Sequence, residues 1–232
     1  MAKEKVYEGR ELLAASRWQD ELPSWPQDQQ DRVAVRVDEL IAENADYCDR
    51  GNYSHLSNLL TALALYEYYL AQGKSKEEAC DLVAEPMWAF VEKGAGTYRT
   101  LFKIPGMMGL FGRLMPRMFE AGSGVGWHYD WGETSNQKIQ FTCTSCIYAQ
   151  IFATYGVPEL GPMFCHADDI NYGHLKNITF TRHHTLCKDG QPCDFLFTRD
   201  PKDGKDGKDG GRDEGGKGGK DGGGGGSDEG GR

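Results

Sequence analysis

The last 32 residues, Pro201 to Arg232, hold fifteen glycines, seven Lys/Arg, eight Asp/Glu and not one apolar side chain. No core can be built from them, so whatever folds must do so within roughly the first 200 residues, one small-domain's worth of chain. A segment that buries no apolar surface cannot offset its ordering entropy, and the expectation is a disordered tail over 201–232. Gly204, Gly207 and Gly210 imitate a collagen repeat, but without a proline-rich continuation they cannot sustain a triple helix. The formal net charge is −9, of which the tail (seven positive, eight negative) supplies −1, so the body is itself acidic. It has no Lys/Arg cluster with which to bind phosphates, which argues against nucleic acid. The opening MAKEKVYEGRELLAAS lacks the apolar run of a signal peptide, and no apolar stretch is long enough for a membrane span. A cytoplasmic protein is expected. Its seven cysteines, an odd count, then point to reduced thiols rather than a disulfide framework.

Residues 1–27 read as an N-terminal arm in which Trp18 and Trp25 dock on the body and no chemistry is visible. Across 28–47 the spacing of Val33, Val37, Leu40 and Ile41 predicts an amphipathic helix, and 57–72 is a more apolar one stopped by Gly73. His55, just ahead of it, reads as a capping or surface residue. Ser75 with Glu78 forms a capping box opening a third helix, which Pro86 is expected to kink or split. The run IPGMMGLFGRLMPRMF (104–119) looks too broken for a long helix; its methionines suit core packing, a mobile lid or a partner surface. Beyond it the period changes from helical to alternating. Trp127, Tyr129 and Trp131 alternate as a strand, as do Ile139, Phe141 and Cys143. A helix follows over 144–155, then a short one from Pro158 to about Asp169, then a hairpin of strands 177–187 and 193–198 turning at Lys188-Asp189-Gly190. Helices first and strands after predict an α+β fold, an N-terminal helical layer on a small antiparallel sheet, as one domain over 28–200.

Residues 137–197 hold five of the seven cysteines and four of the six histidines. Cys146 falls in the first turn of a predicted helix, where free amides and the helix dipole favour a thiolate. Cys165, Asp168 and Asp169 stand at i, i+3 and i+4, bringing a thiol and a carboxylate onto one helical face. Cys146 is the favoured nucleophile of the two thiols, because a carboxylate beside Cys165 raises a thiol pKa. Arg182 and His184 share a predicted strand face with Ile178 and Phe180. Arg182 there suits a forked clamp on a substrate carboxylate, or else an internal pair with Asp168 or Asp194. Cys143 with Cys146, and Cys187 with Cys193, are the material for a zinc or other divalent metal site, but their spacing departs from a zinc ribbon and no cofactor is expected.

The runs CIYAQIFATYGVPELGPMFCHAD (146–168), FTRHHTL (180–186) and GQPCDF (190–195) resemble the L-2-amino-thiazoline-4-carboxylic acid hydrolase family; ALY (64–66) and GKSKEEA (73–79) resemble it more loosely. By that resemblance Cys146, Cys165, Asp168, Arg182, Cys193 and Asp194 occupy the family's recurrent positions, whereas Cys143 and Cys187 look like additions. The resemblance implies a hydrolase that opens a cyclic amidine-type C–N bond in a small carboxylate substrate. Cys146, Cys165 and Asp168 would be catalytic, and Arg182, His184, Cys193 and Asp194 would bind substrate. The competing reading is a noncatalytic sensor that holds a small ligand or a metal in the same pocket.

Overall fold

The computed structural model describes residues 6–201; the expected disordered tail, from 202 onward, lies outside the described residues. The molecule is organised around one helix, Tyr53–Ala71, in which every residue from Leu56 to Tyr66 is buried. A helix that is apolar all round has to be wrapped on all sides. Naming the helices in chain order, α1 (Gly9–Ala15), α2 (Gln27–Glu43) and α4 (Lys76–Leu101) pack against this α3. The residues read as an arm are therefore part of the core: Leu12 is fully buried and Trp18 is 2% exposed, its indole N–H donating to the Val83 carbonyl at 3.0 Å.

Helix α4 opens with the expected capping box, Ser75 Oγ accepting from Glu78 N at 3.2 Å and Glu78 Oε2 from Ser75 N at 2.9 Å. It then runs through Pro86 as one helix, so of the expected kink or split, the split does not occur. A mid-helix proline costs about 3 kcal/mol. Burying Val83, Met87 and Val91 on either side of it returns about 1.5–3 kcal/mol each, so continuing the helix wins.

The segment read as too broken is also helical, α5 (Met107–Gly122), entered through Gly106 at φ 83°. Its glycines are points of close approach rather than breaks. A Cβ at Gly109 would collide with the Asn136 side chain, and one at Gly112 would stand 3.1 Å from Ile139. Met108 and Met115 are buried on the sheet, while Leu110, Leu114 and Met118 face outward.

The strands β1 (His128–Thr134), β2 (Lys138–Ser145), β3 (Ile178–Thr181) and β4 (Cys193–Arg199) form one antiparallel sheet in the order β1-β2-β4-β3, confirming the α+β class. Between β2 and β3 the chain makes α6 (Ile147–Thr154), a 3-10 turn (Pro158–Leu160) and α7 (Gly161–Tyr172). The register aligns Tyr129, Cys143 and Cys193 across three strands, with Trp131, Phe141 and Phe195 in the next row. Alternation places all six on one face, an aromatic surface ending in two cysteines. Strand β3 stops at Thr181, six residues short of the expected Cys187. The cause is Asp194, whose Oδ1 accepts from the amides of His183 (2.9 Å) and His184 (2.7 Å) and so takes both out of the ladder. Residues 182–192 become a loop. Among the described residues, no helix is long and apolar enough to cross a membrane.

Candidate active site

A cavity of about 290 Å³ lies where the cysteine end of the sheet meets α6, α7 and the 182–192 loop. Each wall has a local cause. Cys146 is the N-cap of α6, held extended at φ −142° as strand passes into helix. Helix α7 turns a stripe inward at i, i+3 and i+7, namely Cys165, Asp168 and Tyr172. The loop brings Cys187 against the start of α7, and only Gly161 permits it, since a Cβ there would stand 2.7 Å from the Cys187 Cβ.

The fourth wall starts from buried Asn52, whose amide nitrogen donates to the carbonyls of Tyr47 (3.0 Å) and Val125 (2.9 Å). Its Oδ1 accepts from Trp127 Nε1 at 3.0 Å, fixing an indole that stacks on Tyr129 with centroids 5.9 Å apart. His55 lies against the same indole at 4.6 Å. This corrects the capping or surface reading of His55, which lines the cavity. Its Nε2 stands 3.1 Å from the Gly122 carbonyl, which can only accept, so Nε2 carries the proton and bare Nδ1 accepts from the Tyr148 hydroxyl at 3.3 Å. Burial lowers the His55 pKa to about 4, against the Gly122 bond, which raises it, so the ring is neutral at pH 7.

Arg182 is fully engaged with the protein. Its guanidinium donates to Asp168 Oδ2, the Cys165 carbonyl and Asp169 Oδ1, each at 2.8 Å. It lies over Phe195 (5.2 Å) and Phe180 (5.7 Å), and its side chain is 4% exposed. Of the two roles expected for it, the internal pairing with Asp168 is the one the geometry displays. Asp168 itself opens onto the cavity, and burial raises its pKa against the lowering pull of Arg182 and Arg17.

The thiols titrate in opposite directions. Cys187 is raised, first by Cys146 and then by Cys165 and burial, and Cys143 is raised by its cross-strand partner Cys193 and by burial, its own thiol donating to the Ser145 carbonyl at 3.2 Å. Two thiols move the other way. Cys165 is lowered, first by the Cys187 thiol, against the cost of its own burial, with help from Thr185 and Arg182. Cys193 is lowered by Cys143 and by the Leu186 amide at 3.3 Å. Asp168 does push the Cys165 thiol up, as expected, but Cys187, Thr185 and Arg182 outweigh it and the net shift is downward.

Of the residues expected to form the site, Cys146, Cys165, Asp168, Arg182 and Cys193 converge on the cavity. His184 and Asp194 do not line it. Asp194 projects from the opposite face of β4 and holds the loop backbone, and exposed His184 pairs with Asp189 at 2.8 Å. Cys143 and Cys187, read as additions, are lining residues, as are Arg17, Tyr148 and Asn171, which sequence reasoning passed over. A histidine heading a wholly apolar helix was the available sign for His55; Arg17 gave none. Among the described residues, no three His, Cys, Asp or Glu side chains are arranged to hold a metal ion.

Residues 56–197 match the family model described as L-2-amino-thiazoline-4-carboxylic acid hydrolase. No curated protein and no solved structure matches the chain.

Proposed function

The chain belongs to the L-2-amino-thiazoline-4-carboxylic acid hydrolase family, and from that premise we propose that its cavity hydrolyses a cyclic amidine-type C–N bond in a small carboxylate substrate. The observation that carries this reading is the meeting, in one small cavity, of a thiol with lowered pKa and a carboxyl with raised pKa one helical turn away, Cys165 and Asp168. A thiol pushed toward thiolate and a carboxylate pushed toward greater basicity are suited to nucleophile and base roles.

In this reading the attacking residue is Cys165 rather than Cys146. Its thiolate adds to the electron-poor C2 carbon of the substrate's protonated amidine, forming a C–S bond while the C=N electron pair moves to the ring nitrogen, which already carries its proton. The exocyclic nitrogen's lone pair then expels the ring nitrogen, one proton passing between the two as the C–N bond breaks. Water, giving its proton to Asp168, adds to the same carbon, and Cys165 leaves as thiolate. Arg182 holds Asp168 in place. Trp127 and Tyr129 offer a flat surface for the ring. Incubation with 2-amino-thiazoline-4-carboxylate and mass spectrometry for a product heavier by one water is the test. Absence of that product, there and across related cyclic amidines, overturns the reading.

A further inference from the structure

We propose that Arg17, outside the matched segment, is the residue that binds the substrate's carboxylate, a deepening that rests on the hydrolase reading above. An acid-bearing substrate needs a cation at the cavity, and two arginines line it. Arg182 already gives three N–H groups to protein oxygens and is almost wholly covered. Among the described residues, no carboxylate pairs with Arg17, although the chain is acidic overall and most of the other half-buried arginines have found one. A guanidinium that lines the cavity without an anion keeps strong donors available there, and an incoming carboxylate can take them.

The position of Arg17 is fixed as that of a binding residue has to be. It stands between Ser16, fully buried, and Trp18, 2% exposed and bonded to α4 through Val83. Its own amide donates to Asn58 Oδ1 at 2.9 Å, tying it to α3, and Asn58 is fixed in turn by donating to the Ser54 carbonyl at 2.7 Å. The side chain leaves this anchored segment for the cavity, where its charge acts on His55, Tyr148, Asp168 and Tyr172, groups from three different elements. Those neighbours contribute one anion, Asp168, which Arg182 already neutralises, and a neutral imidazole; on its other side Arg17 lies near Asp20, which pairs with Lys93, and Glu21, neither of which is bonded to it. The same cavity is lined by the Trp127 and Tyr129 surface and by Cys165 and Asp168. The family-matched residues then supply the chemistry, and the N-terminal segment supplies the selection for acids.

Thiazole-4-carboxylate and thiazole-4-carboxamide, aromatic and resistant to hydrolysis, separate this from the catalytic reading when titrated calorimetrically into the full chain. The wild type is expected to prefer the carboxylate by about tenfold to a hundredfold, the range for a charge-assisted pair. Arg17→Gln is expected to erase that preference while leaving carboxamide affinity within about twofold, at an unchanged melting temperature; Arg17→Met, which keeps the stem, is read instead should the glutamine variant not fold. A wild type without preference, a preference that survives both substitutions, or one lost only on replacing Arg182 overturns the proposal. An intact, Arg17-dependent preference without turnover of the thiazoline supports the anchor and sinks only the hydrolase reading.

Discussion

Replacing Arg182 by lysine keeps the charge and discards the fork, and the structure puts a magnitude on the loss. The guanidinium bridges three oxygens that a single ammonium cannot all reach. The Asp169 contact involves a carboxylate 48% exposed and contributes at most about 1 kcal/mol. The bond to the Cys165 carbonyl is charge-assisted and shielded, about 1.5–3 kcal/mol. Asp168 opens onto the cavity at 36% exposure, so its pair is discounted from the 3–5 kcal/mol of a sealed one to about 1–2 kcal/mol. Lysine satisfies one of the three and leaves the space between Phe180 and Phe195 underfilled, for a net cost of about 2–3 kcal/mol. In a body of this size that lowers the melting temperature by about 5–10 °C. Differential scanning calorimetry of Arg182→Lys, with thiazole-4-carboxylate titration of the same sample, is the assay. A melting temperature within about 2 °C of wild type, together with lost carboxylate binding, would refute this reasoning and return Arg182 to the role of substrate clamp.

The two candidate thiols are distinguished by brief iodoacetamide treatment at neutral pH with mass mapping: Cys165 is expected to be labelled before Cys146, and Cys165→Ser to lose at least about a hundredfold in turnover where Cys146→Ser loses much less; the reverse order removes Cys165 as nucleophile. His55 makes stability depend on pH with a definite sign. Its pKa falls from 6.5 to about 4 on folding, so the unfolded chain binds the extra proton between those values and stability drops as pH falls through that window, by up to about 3 kcal/mol. Urea titrations at pH 7 and pH 4.5 are expected to show this drop shrinking in His55→Gln, and an identical drop in both proteins would assign the acid sensitivity elsewhere.

The fold was legible where periodicity is strong and misread where a residue type has two meanings. The α+β order, the apolar α3 and the capping box of α4 all follow from spacing. Pro86 and the glycines of α5 were taken as punctuation, yet proline is tolerated where burial on both sides outweighs the lost bond, and Gly109 and Gly112 are empty because the β1–β2 hairpin occupies that space. Only the tertiary structure decides between a glycine that frees the backbone and one that makes room for a neighbour. The short β3 is a similar case: alternation continues past Thr181, and a side chain from the next strand, Asp194, nonetheless takes the amides.

At the site, local spacing found the Cys165 and Asp168 face because both lie on one helix, and it failed for every pairing made by the fold. Cys143 and Cys193 are far apart in sequence and become partners through strand register alone. Cys187 looked surplus because its meaning lies in the cavity it lines together with Cys165 of α7 and Cys146 at the head of α6. Cys165 is lowered overall for the same kind of cause. A carboxylate one turn away is visible in sequence and raises a thiol; the donors that outweigh it come from residues 182–187, which reach α7 only because Gly161 lets the loop lie against it. Electrostatics at this cavity is thus set by the loop more than by the helix that carries the nucleophile. Filling the space at Gly161 would therefore act on Cys165 without touching it, by moving away the thiol that donates to it.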